Sequence, residues 1–226
     1  MQLLSKSSIP QGGFAGLLEH RLVTDSRIFG NNKKPDTFEG LGNFVYLADA
    51  QFNPDGETGM HPHSEIDVIS VMIEGRVSHE GSLEHGKGLS AGDVQVQRAG
   101  GEGFEHNEIN PDPHKNRMVQ LWVLPQTSGE SAGYKYYSPK TQGVTRIYGG
   151  DTRQSHTFDS PTCIDIVNLA PGESISFSTE QLSYITRGEA LFNEQQQSLQ
   201  ASDGDLIRSQ QLNVTARTYT SMIVIS

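Results

Sequence analysis

The sequence is poor in cysteine, in basic residues and in long apolar runs, and each shortage excludes a class of protein. A single cysteine, Cys163, rules out an intramolecular disulfide and suits a reducing cytoplasm. As a lone thiol it reads as a small apolar residue of the core rather than a reactive group. Lys and Arg number 17 against 27 Asp and Glu, a net charge of −10, which argues against nucleic acid or an anionic membrane as a partner. An anionic small ligand stays open, because a buried cation dominates its own pocket. No apolar run reaches the length of a bilayer span, and the first residues show no signal-peptide core, so a cytoplasmic location is expected. Helix-periodic segments are scarce too. One short helix, near residues 126–150 or the C-terminus, is the most that is expected.

The punctuation of β structure is what the chain has in plenty. Its 24 Gly and 10 Pro break short apolar runs such as Phe44-Val45-Tyr46-Leu47-Ala48, Ile66–Ile73 and Arg117–Leu124 into candidate strands. After residue 150 the pattern restarts: Arg187-Gly188-Glu189 echoes Glu74-Gly75-Arg76, and Asp203-Gly204-Asp205 echoes Ala91-Gly92-Asp93. With 226 residues available, two tandem antiparallel β units account for this economically. The expected boundaries are 1–125 for the first unit and 151–226 for the second, with a Ser/Gly/Tyr/Lys-rich linker at 126–150.

Chemistry concentrates between Gly59 and Asn110. Residues two apart on a strand face the same way, so His61-Pro62-His63 aims two imidazoles at one spot, and His106-Asn107-Glu108 aims an imidazole and a carboxylate. On neighbouring strands the two pairs supply four ligands, His61, His63, His106 and Glu108, for one divalent metal. Two positions of an octahedral ion would stay open for chemistry. If the H-x-H strand stays regular, Glu65 and Asp67 share its inward face, where either could orient a ligand imidazole; Asp67 is equally expected to be satisfied by backbone or an arginine. His20, His79, His85, His114 and His156 lack a paired partner and read as surface or turn residues, with His79 the one that could approach the pocket. Trp122, Phe44, Tyr46 and Phe104 read first as core and second as pocket wall. The second unit has no histidine after His156 and is expected to be metal-free.

These residues resemble the cupin superfamily and, within it, the pirin family. The resemblance is carried by Gly59-Met60-His61-Pro62-His63, Ile73-Glu74-Gly75, Ala91-Gly92-Asp93-Val94-Gln95, Ala99-Gly100, His106-Asn107-Glu108 with Asn110-Pro111, and Val119–Pro125. It implies an all-β bicupin, two tandem antiparallel β-barrel or jelly-roll domains. The N-terminal one would hold a divalent metal on His61, His63, His106 and Glu108. Iron(II) is the usual metal of the family, and related sites accept Cu, Mn, Ni, Co or Zn. The implied activity is that of quercetin 2,3-dioxygenase, on a small phenolic substrate and O2, with Glu108 in the first coordination sphere as catalytic base. The family equally implies a non-catalytic metalloprotein that regulates through a protein partner. A third expectation is another cupin reaction on a small acid or sugar. The chain departs from the family at Gly100–Glu105, one residue longer than usual, and at Ser64-Glu65 and Asp67, which bear on the pocket's shape rather than on the ligands.

Overall fold

The computed structural model describes residues 1–84 and 87–226, and these are almost entirely antiparallel β structure. In chain order, β1 (Gln2–Ser5), β2 (Gly12–Phe14), β3 (Leu17–Thr24) and β4 (Phe44–Phe52) come first. Next are β5 (His61–His63), β6 (Asp67–Glu74), β7 (Arg76–Gly81), β8 (Leu89–Ser90), β9 (Val94–Arg98), β10 (Phe104–Ile109) and β11 (Arg117–Val123). β12 (Gly133–Tyr137), β13 (Gly143–Gly150), β14 (Ser160–Leu169), β15 (Ser174–Phe177) and β16 (Gln181–Arg187) follow. The last are β17 (Glu189–Glu194), β18 (Gln197–Ser202), β19 (Asp205–Ser209), β20 (Leu212–Ala216) and β21 (Thr220–Ile225).

The chain divides into two units, Ile9–Ser138 and a second made of Met1–Ser8 with Pro139–Ser226. In the first, a seven-stranded sheet ordered β12-β9-β6-β11-β4-β3-β2 accompanies a four-stranded sheet ordered β5-β10-β7-β8. In the second, the orders are β1-β19-β16-β21-β14-β13 and β15-β20-β17-β18. Each unit is therefore a two-sheet jelly roll with its core between the sheets.

The turn echoes in the sequence are structural equivalents. Gly75 (φ 73°) and Gly188 (φ 83°) take left-handed backbone where the chain passes from one sheet to the other, between β6 and β7 and between β16 and β17. A Cβ on Gly188 would lie 2.1 Å from the Tyr219 carbonyl oxygen, so only glycine fits there. At the next turn Gly92 N–H donates to the Met72 carbonyl and Gly204 N–H to that of Ile185, both at 2.9 Å. The acids that follow do the same work: Asp93 accepts from Ser90 N–H and Asp205 from Ser202 N–H, each at 2.9 Å.

Three features differ from expectation. The single α-helix among the described residues, Ser26–Phe29, lies in neither place expected; Asp25 caps it by accepting from Arg27 N–H at 2.9 Å. Four residues are too few for a helical period to show in sequence. Residues 126–150, expected as a linker, contribute β12, paired with β9, and β13, paired with β14. β12 and β13 are edge strands; β12 has no fully buried side chain and, of its side chains, β13 buries only Ile147 and Tyr148, so neither carries a hydrophobic alternation. β1 pairs with β19, so the first residues belong to the second unit. Cys163 is half-buried, its sulfur 3.1 Å from Arg146 Nη1. No helix of the described residues is long and apolar enough to cross a membrane.

Candidate metal centre

Two strand pairings assemble the site. β5 is a three-residue edge strand, where Pro62 is tolerated because an edge position needs no ladder donor. It pairs with β10 so that His106 stands opposite His61 and Phe104 opposite His63. On its other side β10 pairs with β7, which sets Glu108 opposite His79. Period-two alternation then turns His61, His63, His106 and Glu108 to the interior.

Three of the four expected ligands converge. One ring nitrogen from each of His61, His63 and His106 lies within 4.8 Å of the other two. His106 Nε2 is 3.0 Å from His61 Nε2 and 3.2 Å from His63 Nε2. Ligand nitrogens at about 2.0–2.1 Å from one ion, and at right angles to each other, are separated by about 3 Å. The spacing fits a metal. The tautomer fits as well, because His61 Nδ1 lies 2.8 Å from the Gly59 carbonyl oxygen. A carbonyl only accepts, so a proton sits on Nδ1 and Nε2 is the nitrogen left to face a metal. Burial, reinforced by His61, pushes His63 down to about 4. Burial together with His61, His63 and His79 pushes His106 to about 2. Both imidazoles are neutral at pH 7, as ligands must be.

Glu108 is placed beside this cluster but is not one of its mutually close atoms. Its side chain is fully buried. Oε1 accepts from the Ser70 hydroxyl at 2.8 Å and Gln95 Nε2 at 3.1 Å, and Oε2 accepts from Gln120 Nε2 at 3.3 Å. Burial raises its carboxyl to about 7 against the pull of Ser70 and Gln95. Three donors and, among the described residues, no ion-paired cation at a buried carboxylate form the cradle of an anion whose counter-charge comes from elsewhere.

The pirin family model matches residues 21–123. The chain carries a pirin-family domain. Relatives agree. Quercetin 2,3-dioxygenase of Escherichia coli strain K12 is 28% identical over 127 residues, 55% of this chain and 54% of that protein. A pirin-like protein of Caulobacter vibrioides is 35% identical over 81 residues, 36% of this chain and 34% of the relative. The chain thus spans about a third to a half of the length of these curated relatives. Among solved structures, the bacterial pirin YhhW of Escherichia coli in complex with nickel(II) aligns with a TM-score of 0.84 at 20% identity, over 99% of this chain and 97% of the other. Quercetin 2,3-dioxygenase from Acinetobacter baumannii aligns with a TM-score of 0.71 at 18% identity, over 100% and 85%. At such identities the likeness establishes the fold.

Around the pirin site, several residues stand where sequence alone did not place them. His79, read as surface or turn, is fully buried, with its ring 5.5 Å from that of His106. Gln97 Nε2 lies 3.2 Å from its Nε2, and the Glu84 carbonyl oxygen 3.4 Å from its Nδ1. Its alternation from Val77 was the signal. Ser70, Gln95, Gln97 and Gln120 were missed, because a polar residue in an apolar strand declares itself only when register shows what it faces. Glu65 leaves the inward face, with left-handed backbone (φ 54°) and its Oε1 accepting from Gly129 N–H at 3.0 Å. Asp67 is buried with Arg98, 3.6 Å between Oδ2 and Nε, which is the arginine alternative expected for it. Phe104 and Trp122 wall the His63 side, at ring distances of 5.1 and 6.2 Å. His114 and His156 are exposed, His20 lies 2.8 Å from the Ile9 carbonyl oxygen, and His85 is outside the described residues.

In the second unit the same lattice is apolar. Matching Gly188 to Gly75 aligns β17 with β7, so Phe192 occupies the place of His79. Phe192 pairs with Val214 and Leu212 with Phe177, setting Val214, Leu212 and Phe177 where Glu108, His106 and His61 stand in the first. All four belong to or pack on one hydrophobic cluster.

Proposed function

We propose that the chain is an iron-dependent dioxygenase that cleaves a flavonol such as quercetin with O2. The observation that carries this reading is the convergence of three imidazole nitrogens, with a fully buried, donor-cradled carboxylate two residues along β10 from one of them. His61, His63 and His106 would hold the metal, with Glu108 as fourth ligand. When bound, the metal supplies a Lewis-acid centre that brings the flavonol oxygen and O2 together.

The chain's residues have separate tasks. Glu108 takes the proton of the flavonol 3-hydroxyl, and Ser70, Gln95 and Gln120 fix the direction of its lone pairs. Phe104 and Trp122 offer apolar ring faces to a flat substrate and keep water from the His63 side. The overall change consumes one O2 per flavonol and releases carbon monoxide with the ring-opened ester. The test is oxygen uptake on quercetin by iron-reconstituted protein, beside His61→Ala and Glu108→Ala, with elemental analysis of each preparation. Uptake by the wild type that vanishes in both variants is expected. Full metal occupancy without uptake on any phenol would reject the dioxygenase and favour a metalloprotein that acts through a protein partner.

A further inference from the structure

Apart from the metal centre, the first unit buries a charged group that packing does not require. Glu19 on β3 is 3% exposed. Its Oε1 accepts from Arg21 Nε at 2.7 Å, and its Oε2 accepts from the Tyr46 hydroxyl at 2.7 Å. Leucine and phenylalanine at these two positions would fill the same space without burying a carboxylate. Tyr46 and Trp122 are direct partners across β4 and β11. Their rings stack at 4.2 Å with 25° between planes, and the indole meets the His63 ring at 6.2 Å. A run of contacting redox-active rings therefore leads from His63 to a carboxylate. Glu19 and Arg21 also line a cavity of about 330 Å³, walled by Ile9, Pro10, Lys34 and Thr37. That volume falls within the range of small-molecule sites, and Pro10 and Lys34 are exposed at its edge.

We propose that Trp122 and Tyr46 form an electron relay that carries oxidising equivalents away from the histidine centre, with Glu19 as the proton acceptor. The proposal rests on the metal-centre reading, since ferrous iron held by His61, His63 and His106 would give one electron to peroxide and so supply ferric iron, hydroxide and one hydroxyl-class radical. That radical takes one electron from Trp122 and one proton from solvent and becomes water. Trp122 Nε1 is buried with no hydrogen-bond acceptor among the described residues, so the indole radical cation keeps its proton and its oxidising strength. It then takes one electron from Tyr46, whose phenolic proton passes to Glu19. Trp122 is restored, Tyr46 becomes a neutral phenoxyl radical, and Glu19 becomes a carboxylic acid. A hydroquinone-class reductant in the cavity returns the electron, and Glu19 returns the proton. The net change is one hydroxyl radical reduced to water and one reductant oxidised by one electron with loss of its proton.

The test has two arms on the full chain. In the first, metal-free protein is photo-oxidised with tris(bipyridyl)ruthenium and persulfate and read by freeze-quench electron paramagnetic resonance. The wild type is expected to give a tyrosyl signal. Tyr46→Phe, which keeps the ring stack, should replace it with an indolyl signal. Glu19→Gln should slow tyrosyl formation at least tenfold. In the second arm, ferrous-loaded protein meets hydrogen peroxide, and Trp122 oxidation is followed by mass spectrometry. Tyr46→Phe is expected to accumulate oxidised Trp122 several-fold faster than wild type, and His61→Ala to show neither radical nor damage. Identical radical spectra in wild type and Tyr46→Phe in the first arm would overturn the relay and leave the metal centre untouched. A tyrosyl signal in the first arm with no peroxide-driven oxidation in the second, in protein shown by elemental analysis to hold iron, would overturn the proposed source of the oxidant and leave the metal-centre reading standing.

Discussion

Glu108 decides what the cluster can do, and its environment sets opposing pH dependences. In the fold its carboxyl is raised to about 7 from an ordinary 4.5. The stability this contributes is complete below about pH 4.5 and is lost as pH rises through 7. His63 runs the other way: depressed to about 4 from 6.5, it contributes stability above pH 6.5 that is lost as pH falls toward 4. Glu108→Gln should therefore gain on the wild type between pH 4.5 and 7 when metal-free proteins are compared by urea unfolding. Saturating metal should erase that gain by favouring the carboxylate. Gln95→Leu, which strips a donor from the buried carboxylate, should cost about 1–3 kcal/mol in the metal-free protein. The meeting of His61, His63 and His106 was legible from residue identity and spacing, because H-x-H and H-x-E on strands permit few arrangements; Glu108 as fourth ligand stays a proposal. The cradle of Ser70, Gln95 and Gln120 was not legible, since it depends on how the sheet carrying β6, β9 and β11 faces β10 of the other sheet.

At the scale of elements, glycine turns set the register that places these side chains. Gly188 has left-handed backbone and a carbonyl oxygen where its Cβ would be. Gly188→Ala should lower unfolding stability by about 1–3 kcal/mol and leave metal affinity unchanged, as paired urea titrations and metal titrations would show. The buried pair of Asp49 on β4 and Arg117 on β11, 2.6 Å between Oδ2 and Nη2, joins the central strands. Asp49→Ala should cost about 3–5 kcal/mol, because it leaves a buried guanidinium without its carboxylate. Strong central strands such as β4, β6 and β11 could be read from their apolar runs. Edge strands β12 and β13 and the four-residue helix could not, because half-exposed edges and single turns carry too short a pattern.

For the whole molecule, tandem repetition was legible through its turns, whereas the pairing of β1 with β19 was hidden, as long-range register leaves no local mark. The two units share one scaffold and differ in what fills it: His79, His61, His106 and Glu108 in the first, Phe192, Phe177, Leu212 and Val214 in the second. The chain should bind one equivalent of divalent metal rather than two. Metal at about a hundred times its dissociation constant should stabilise the fold by about 2.7 kcal/mol, seen as a raised melting temperature in the wild type and no shift in His61→Ala.

The most direct measurement is X-ray absorption at the iron edge of the reconstituted protein, beside Glu108→Gln. Three imidazoles and one carboxylate around a single iron are expected, with the first-sphere carboxylate oxygen lost or lengthened in the variant and the imidazole scattering retained. An iron spectrum without imidazole scattering, or one identical in wild type and Glu108→Gln, would contradict the proposed centre.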